Sequence, residues 1–441
     1  MDTELNLPLS ESWASSLEDG LRRRTAAIAV VGLGYVGLPM LVAASKAGFP
    51  VIGLDVDQGK LDAIRAGSSY VVDVVDRDIA GLERARFTSN HVALSEADVI
   101  VIAVPTPLTD GTPDLSLVKR ASQDVAGSLL SGRLVVLEST TYPGTTEEVV
   151  RPILERSGLT AGTDFALAYS PERIDPGSSW PLEEIPKIVA GFTPKDEDLA
   201  ERLYAELGFR TVRVPSMRVA EMAKLVENTF RQVNIALVNE LATIAREIGV
   251  DIWAAIEAAA TKPFGYMPFW PGPGVGGHCI AVDPSYLSWR VGQRLGFGIG
   301  FVEHAKEVNK RMPAYVAGRI GEALNDAGKP MRGSRIMAVG LAYKAGVNDV
   351  RESPAVEVLE RLARAGSICS YHDPYVPAAT LSGKLLRSQP LDDQVLAAQD
   401  CVAILTAHPG VDYEAIVLAA QLVFDATGVT RPAEAPSLIR L

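Results

Sequence analysis

Three features predict an α/β protein of two Rossmann-like domains joined by a long central helix. Apolar strands alternate with amphipathic helices through the first half, the pattern of a parallel sheet covered by helices. A proline-free stretch from Ser216 to about Ala260 then carries apolar residues at helical spacing: Val219, Met222, Ala223, Val226, Phe230, Val233, Leu237, Leu241, Ile244 and Ile248. Beyond it the alternation restarts, with strand ends that echo those of the first half.

Taken in order, residues 1–24 are polar and acidic, then basic at Arg22-Arg23-Arg24. They lack the charged start and apolar core of a signal peptide and read as a flexible arm. The first Rossmann-like domain is expected over 25–214, with strands at Ile28–Val31, Val51–Leu54, Val99–Val104, Leu134–Glu138 and Phe165–Tyr169. Residues 215–325 hold the central helix and a glycine-rich cysteine loop, and 326–441 form the second Rossmann-like domain. There Arg335–Ala342 echoes Ala27–Gly34, Ser370–Pro374 echoes the strand end Gly53–Asp55, and Asp400–Thr406 echoes Asp98–Val104. The echo breaks at Lys344, which stands where the first half has Gly37, so this half is not expected to bind a dinucleotide in the same way.

Bulk properties remove several classes of function. A chain of 441 residues is long enough for two or three domains with real cores. Its net charge of -12 argues against a nucleic-acid surface, although a few local cations suffice for a phosphorylated small molecule. The three cysteines show neither a disulfide framework nor CxxC metal spacing, which favours a reducing, cytoplasmic compartment and no metal site. The longest apolar stretch, Ala26–Ala44, contains three glycines and Pro39 and reads as a strand turning into a helix, not a membrane span.

That turn is Gly32-Leu33-Gly34-Tyr35-Val36-Gly37. After a buried strand and before a helix, the first glycine makes the turn, the second admits a pyrophosphate, and the third lets helix and strand pack closely. Asp55 ends the next strand at roughly the 20-residue spacing of the acid that binds an adenosine ribose. A carboxylate there repels a 2′-phosphate, so the expected cofactor is NAD. A purely structural glycine turn is the bland alternative.

Further along, Phe269–Pro284 packs four glycines and three prolines around Cys279, with His278 before it and Asp283 four residues later. Such a run favours close backbone approach over helix or strand interior. One thiol presented there reads as a nucleophile, against the common alternative of a buried inert cysteine. Cys369 and Cys401 lie in apolar, strand-like runs and read as core. His278 is given no role.

At Gly32–Gly37, Ser170-Pro171-Glu172-Arg173, Gly274–Asp283 and Gly340–Pro354 the chain resembles the nucleotide-sugar 6-dehydrogenases, the UDP-glucose/GDP-mannose dehydrogenase family. The likeness covers essentially everything after the arm. Pro271–Cys279, Thr261–Gly265 and Gly340–Lys344 with Arg351–Pro354 are worded most like members acting on UDP-N-acetylglucosamine or UDP-N-acetylmannosamine. UDP-glucose members usually carry Ser or Tyr before the cysteine and Lys before the aspartate, where this chain has His278 and Val282. Many also carry an arginine upstream of the cysteine loop that reaches the neighbouring subunit; Thr261–Trp270 offers only Lys262.

The resemblance implies a twofold oxidation of the sugar C6 hydroxymethyl to a carboxylate, reducing two NAD in turn. Cys279 adds to the intermediate aldehyde, and the resulting thioester is hydrolysed. It implies that Lys224 and Asn228, one helical turn apart, hold the oxyanion at C6. Glu172 is the implied general base, directly or through a water, and Asp283 positions the hydrolytic water with help from Thr140. Cofactor contacts are implied for Tyr35, Val36, Thr106 and Thr140, and substrate contacts for Glu172, Lys224, Asn228, Phe269, Gly276, Lys344 and Arg351. For several of these a bland reading exists: Lys224 and Asn228 as a solvated helix face, Arg351 as a surface ion-pair partner beside Glu352, and Phe269 as packing. The partner expectation is a nucleotide sugar and a homodimer or higher homo-oligomer built on the central helix, with no nucleic acid and no membrane.

Three competing functions remain: a UDP-glucose or other NDP-hexose dehydrogenase, a single-oxidation β-hydroxyacid-type dehydrogenase, and a non-enzymatic NAD-binding regulator. The second needs no cysteine, and the third needs neither Cys279 nor Lys224.

Overall fold

The structure is a computed structural model that describes residues 9–71, 73–82, 84–173, 180 and 184–441. Its contacts divide the chain into two compact units, Met1–Glu227 with Ser285–Arg294, and Asn228–Pro284 with Leu295–Leu441.

The first unit is built on an eight-stranded sheet. Strands β1 (Ile28–Val31), β2 (Val51–Leu54), β3 (Ala85–Thr88), β4 (Val99–Ile102), β5 (Leu134–Leu137) and β6 (Ala166–Tyr169) run parallel in the order β3-β2-β1-β4-β5-β6. β7 (Lys187–Gly191) joins antiparallel to β6, and β8 (Thr211–Arg213) lies parallel to β7 at the edge. Every residue of β1, β2, β4, β5 and β6 is buried. Those strands therefore read as continuous aliphatic runs, as a sheet covered on both faces requires. Strand order reverses between β1 and β4, where doubly wound sheets receive their ligands at the carboxyl ends of the strands.

The expectation of a flexible arm over 1–24 is corrected for its described part. Leu9–Arg22 forms a helix, α1, whose Ala14, Leu17 and Leu21 are buried in the core of the first unit. The Trp13 indole donates to the Thr163 carbonyl at 3.0 Å, and the Lys195 ammonium lies 4.1 Å from its ring centroid. The acidic composition masks an apolar stripe at positions 14, 17 and 21, which is helical spacing.

Helix α2 (Gly37–Lys46) follows the glycine turn, and α3 (Pro194–Glu206) opens with a capping box between Thr193 and Asp196. The expected spine runs as α4 (Met217–Glu247), which covers the apolar periodicity nearly to Ile248 but stops short of the expected end near Ala260. It stops because Gly249 takes a left-handed φ of 72° and Asp251 caps a new helix, α5 (Ile252–Ala260), by accepting from the Trp253 and Ala254 amides.

In the second unit, β9 (Arg335–Val339), β10 (Ile368–His372), β11 (Cys401–Ile404), β12 (Val423–Asp425) and β13 (Leu438–Arg440) form a parallel sheet ordered β10-β9-β11-β12-β13. This is the other common doubly wound order. Helices α6 (His278–Leu295) and α7 (Gly300–Asp326) precede it. No helix among the described residues is long and apolar enough to cross a membrane.

Candidate active site

The glycine turn shows why each of its glycines is there. Gly32 has φ 93°, and a Cβ on it would lie 2.7 Å from the Ala103 carbonyl oxygen. A Cβ on Gly37 would lie 1.8 Å from the Gly32 carbonyl oxygen, which would force α2 away from the turn. Around the Cβ position of Gly34, by contrast, no heavy atom lies within 4 Å. That open face, the half-buried Tyr35 and Val36 beside it, and the first amides of α2 suit a dinucleotide pyrophosphate. Thr106 and Thr140 lie half-buried in the loops after β4 and β5, at the same end of the sheet.

Asp55 is buried at the end of β2. Its Oδ2 accepts from the Leu33 amide at 2.8 Å and from Lys60 Nζ at 2.9 Å, and its Oδ1 accepts from the Asp57 amide at 2.9 Å. The carboxylate thus ties the glycine turn to β2, and it is paired with a cation that sequence reasoning missed. Lys60 lies five residues on, in the first turn of the helix Gln58–Arg65, where Asp57 caps the end. Asp55→Asn leaves that ammonium without its counter-charge. NAD is expected to bind roughly tenfold more weakly and NADP more tightly than in the wild type, measured by titration of both. Unchanged affinities for both would remove Asp55 from the cofactor site.

Glu172 follows β6 in the turn Ser170-Pro171-Glu172-Arg173 and is buried. Oε1 accepts from the Arg173 amide at 2.7 Å and Oε2 from Lys187 Nζ at 2.9 Å. The Arg173 guanidinium clamps the same turn, with Nη2 2.6 Å from Glu227 Oε1 and Nη1 donating to the Pro186 carbonyl at 2.7 Å. Lys224, for which a solvated helix face was the alternative to an oxyanion role, is only 6% exposed, and it forms no ion pair among the described residues. A buried ammonium is costly unless a partner compensates it.

In the second unit the structure corrects the expected cysteine loop. The glycine ridge ends at Gly277, and His278–Leu295 is helix, so Cys279 occupies the first turn of α6; its side chain and that of His278 lie outside the described residues. α6 contains Pro284, which has no N–H to offer the Ile280 carbonyl four residues back. Gln232 of α4 supplies that bond from Nε2 at 3.1 Å. One turn earlier, Asn228 Nδ2 donates to Asp283 Oδ2 at 2.5 Å, both side chains being buried. Asn228, Asp283 and the backbone around Cys279 are therefore brought together, with Gln232 as a support that only the unpaired carbonyl opposite a proline could have revealed.

The ridge itself is clasped by the segment 343–354. A Cβ on Gly276 would lie 2.6 Å from the Glu352 carbonyl oxygen, and one on Gly277 would lie 2.5 Å from the Tyr343 ring. Arg351 is bidentate on Asp349, with contacts of 2.6–3.0 Å, so the sequence neighbour Glu352 is not its partner in that fork. Lys344 is half-buried in the same segment. Phe269 is half-buried and packs edge-to-face on Phe230 with centroids 5.7 Å apart.

The internal echo is kept in three dimensions. The Leu341 and Ala342 amides donate to Asp373 Oδ2 at 2.7 and 3.0 Å, as Leu33 does to Asp55. His408 is the other partner of this carboxylate: its Nε2 lies 3.0 Å from Asp373 Oδ2, and its Nδ1 accepts from the Gly346 amide at 3.1 Å. Both side chains are fully buried. Burial alone would raise the Asp373 carboxyl, but the His408 hydrogen bond and the two amides overcome it and hold it at about 2. A depressed carboxyl contributes stability above its unfolded value near 3.8, and loses it as pH falls through about 2. Roughly 2 kcal/mol is expected to disappear over that window. Asp373→Asn should be less stable at neutral pH and show a flatter acid limb in denaturant titrations. Burial pushes the Cys369 and Cys401 thiols up to about 11 and about 12, which suits core cysteines and not nucleophiles.

The doubly wound sheet with this glycine turn defines a dinucleotide-binding protein. Family models for the UDP-glucose/GDP-mannose dehydrogenases match it in three successive pieces: the NAD binding domain over 26–208, the central domain over 218–311 and the UDP binding domain over 337–432. The chain belongs to this family and is an NAD-dependent nucleotide-sugar dehydrogenase. It is 36% identical over 397 residues to UDP-N-acetyl-D-mannosamine dehydrogenase of Pyrococcus horikoshii, covering 88% of this chain and 92% of that one. It is 39% identical over 355 residues to UDP-N-acetyl-D-glucosamine 6-dehydrogenase of Pseudomonas aeruginosa, covering 80% and 83%. A solved structure of UDP-D-ManNAc dehydrogenase from Pyrococcus horikoshii superposes with a TM-score of 0.83 at 34% identity, covering 94% of this chain and 98% of that one.

Proposed function

We propose that the protein oxidises the C6 hydroxymethyl of a UDP-N-acetylhexosamine, UDP-GlcNAc or UDP-ManNAc, to the uronic acid in two steps. The observation that carries this reading is Cys279 in the first turn of α6, a helix tied to α4 by Gln232 on the Ile280 carbonyl and Asn228 on the Asp283 carboxylate. A helix N-terminus favours an anion, and a thiolate is the species that adds to an aldehyde. The relatives named for N-acetylated sugars support the substrate class.

NAD bound at the glycine turn would supply the hydride acceptor for each of the two oxidations. The residues of the chain handle the protons and the charge. Glu172 takes the hydroxyl proton, directly or through a water, as the first hydride leaves C6. Lys224 and Asn228 hold the oxygen of C6 while it is negative. The Cys279 sulfur forms a bond to C6 of the aldehyde. Loss of the second hydride leaves a thioester, which a water held by Asp283 and Thr140 cleaves to carboxylate and free thiol. Phe269, Gly276, Lys344 and Arg351 are the proposed substrate contacts, the two cations facing the phosphates.

The active form is a homodimer built on α4, in a reducing cytoplasm in keeping with the three unpatterned cysteines. Phe230, Leu237, Leu241 and Ile244 of that helix are between 42% and 51% exposed, an apolar stripe that a second copy would cover.

The test is NADH formed per sugar consumed, followed by absorbance with UDP-GlcNAc, UDP-ManNAc and UDP-glucose side by side. Two NADH per sugar with one N-acetylated substrate is the expected result. One NADH per sugar, or preference for UDP-glucose, would overturn the reading.

A further inference from the structure

Lys187 opens β7 with its side chain only 5% exposed. Its Nζ lies 2.9 Å from Glu138 Oε1 and 2.9 Å from Glu172 Oε2. Glu138 follows β5 and is fully buried, Oε1 also accepts the Tyr204 hydroxyl of α3 at 2.6 Å, and Oε2 has no hydrogen-bond partner among the described residues. The Tyr204 ring lies 5.2 Å from the ammonium. Among the described residues, Arg173 and its partner Glu227 from α4 are the other charged pair on this turn. Two carboxylates thus share one cation inside the first unit, and Glu172 is the member on the proposed reaction path.

Such a cluster is expensive to build for stability alone, since burial penalises each ion. Burial works to raise the Glu138 carboxyl and to neutralise Lys187, and the two carboxylates together keep the ammonium charged. Without Lys187, two facing carboxylates cannot both stay ionised at neutral pH.

The geometry points to Lys187 as a positioning residue for Glu172: its ammonium fixes the carboxylate's orientation and keeps it ready to accept the C6 hydroxyl proton, and Glu138 is the buried counter-charge that sets how strongly. This rests on the reading of Glu172 as the base. Nothing in the motif Ser170-Pro171-Glu172-Arg173 announces it, because the cation arrives from a different strand.

The experiment is single-turnover NADH formation against pH, with a UDP-N-acetylhexosamine, in a Cys279→Ala background that removes the thiol's own titration. Lys187→Met is expected to slow the first hydride transfer about tenfold or more and to move the acidic limb up by about one pH unit, with little change in the sugar's KM. Glu138→Gln should move that limb the other way, because the ammonium then serves Glu172 alone. The double variant Lys187→Met/Glu138→Gln avoids two unscreened carboxylates and guards against misfolding; its limb should lie above that of Glu138→Gln. Unshifted limbs in all three folded variants would overturn the positioning role. Glu172→Gln separates the two ideas. If it turns over like its parent, the base assignment fails and this inference with it; if it is inactive while the Lys187 limb stays put, only the inference fails.

Discussion

Cys279→Ser is expected to abolish formation of the uronic acid, by on the order of 10³-fold or more, while NAD binding survives. Serine keeps the size and the place in the first turn of α6 but presents a far poorer nucleophile at neutral pH. The first hydride transfer does not involve the sulfur in the proposed sequence, so one NADH per active site should still form with the N-acetylated sugar. A burst of one NADH without acid is therefore the signature. The helix itself should persist, because its anchors are the Ile280 carbonyl on Gln232 and the Asp283 carboxylate on Asn228, neither of which is touched. Undiminished acid production by the variant would sink the covalent route and favour two direct oxidations through an aldehyde hydrate.

The strands, the glycine turn and Asp55 were legible because each rests on local chemistry. A buried parallel strand must be an unbroken apolar run, and a turn with a backbone carbonyl 1.8 Å from a would-be Cβ must be glycine. Lys60, Lys187 and Gln232 were not legible, since each acts on a group brought close only by the fold: Asp55 across a turn, Glu172 across a strand pair, Ile280 across two helices. Helix α1 was hidden for another reason. Its charged residues dominate composition, and three apolar positions at helical spacing carry the burial. The cysteine segment misled in the opposite sense, because glycines that read as a loop prepare a helix start immediately before the thiol.

Lys224→Met separates function from stability more cleanly than any other change in the first unit. Methionine keeps most of the aliphatic stem and removes only the ammonium. If that ammonium holds the negative oxygen on C6, its loss should lower kcat by about 10² to 10³-fold, the scale of one preorganised oxyanion donor. The effect on folding should run the other way. Lys224 is 6% exposed and forms no ion pair among the described residues, so its charge is a cost to the unliganded protein. The variant is thus expected to melt at the same temperature or higher while turning over far more slowly. A lysine kept for structure gives the reverse pattern, a lower melting temperature with normal turnover per folded molecule. Measuring both on one preparation decides between them, and the combination of lost stability with retained kcat would remove Lys224 from the reaction.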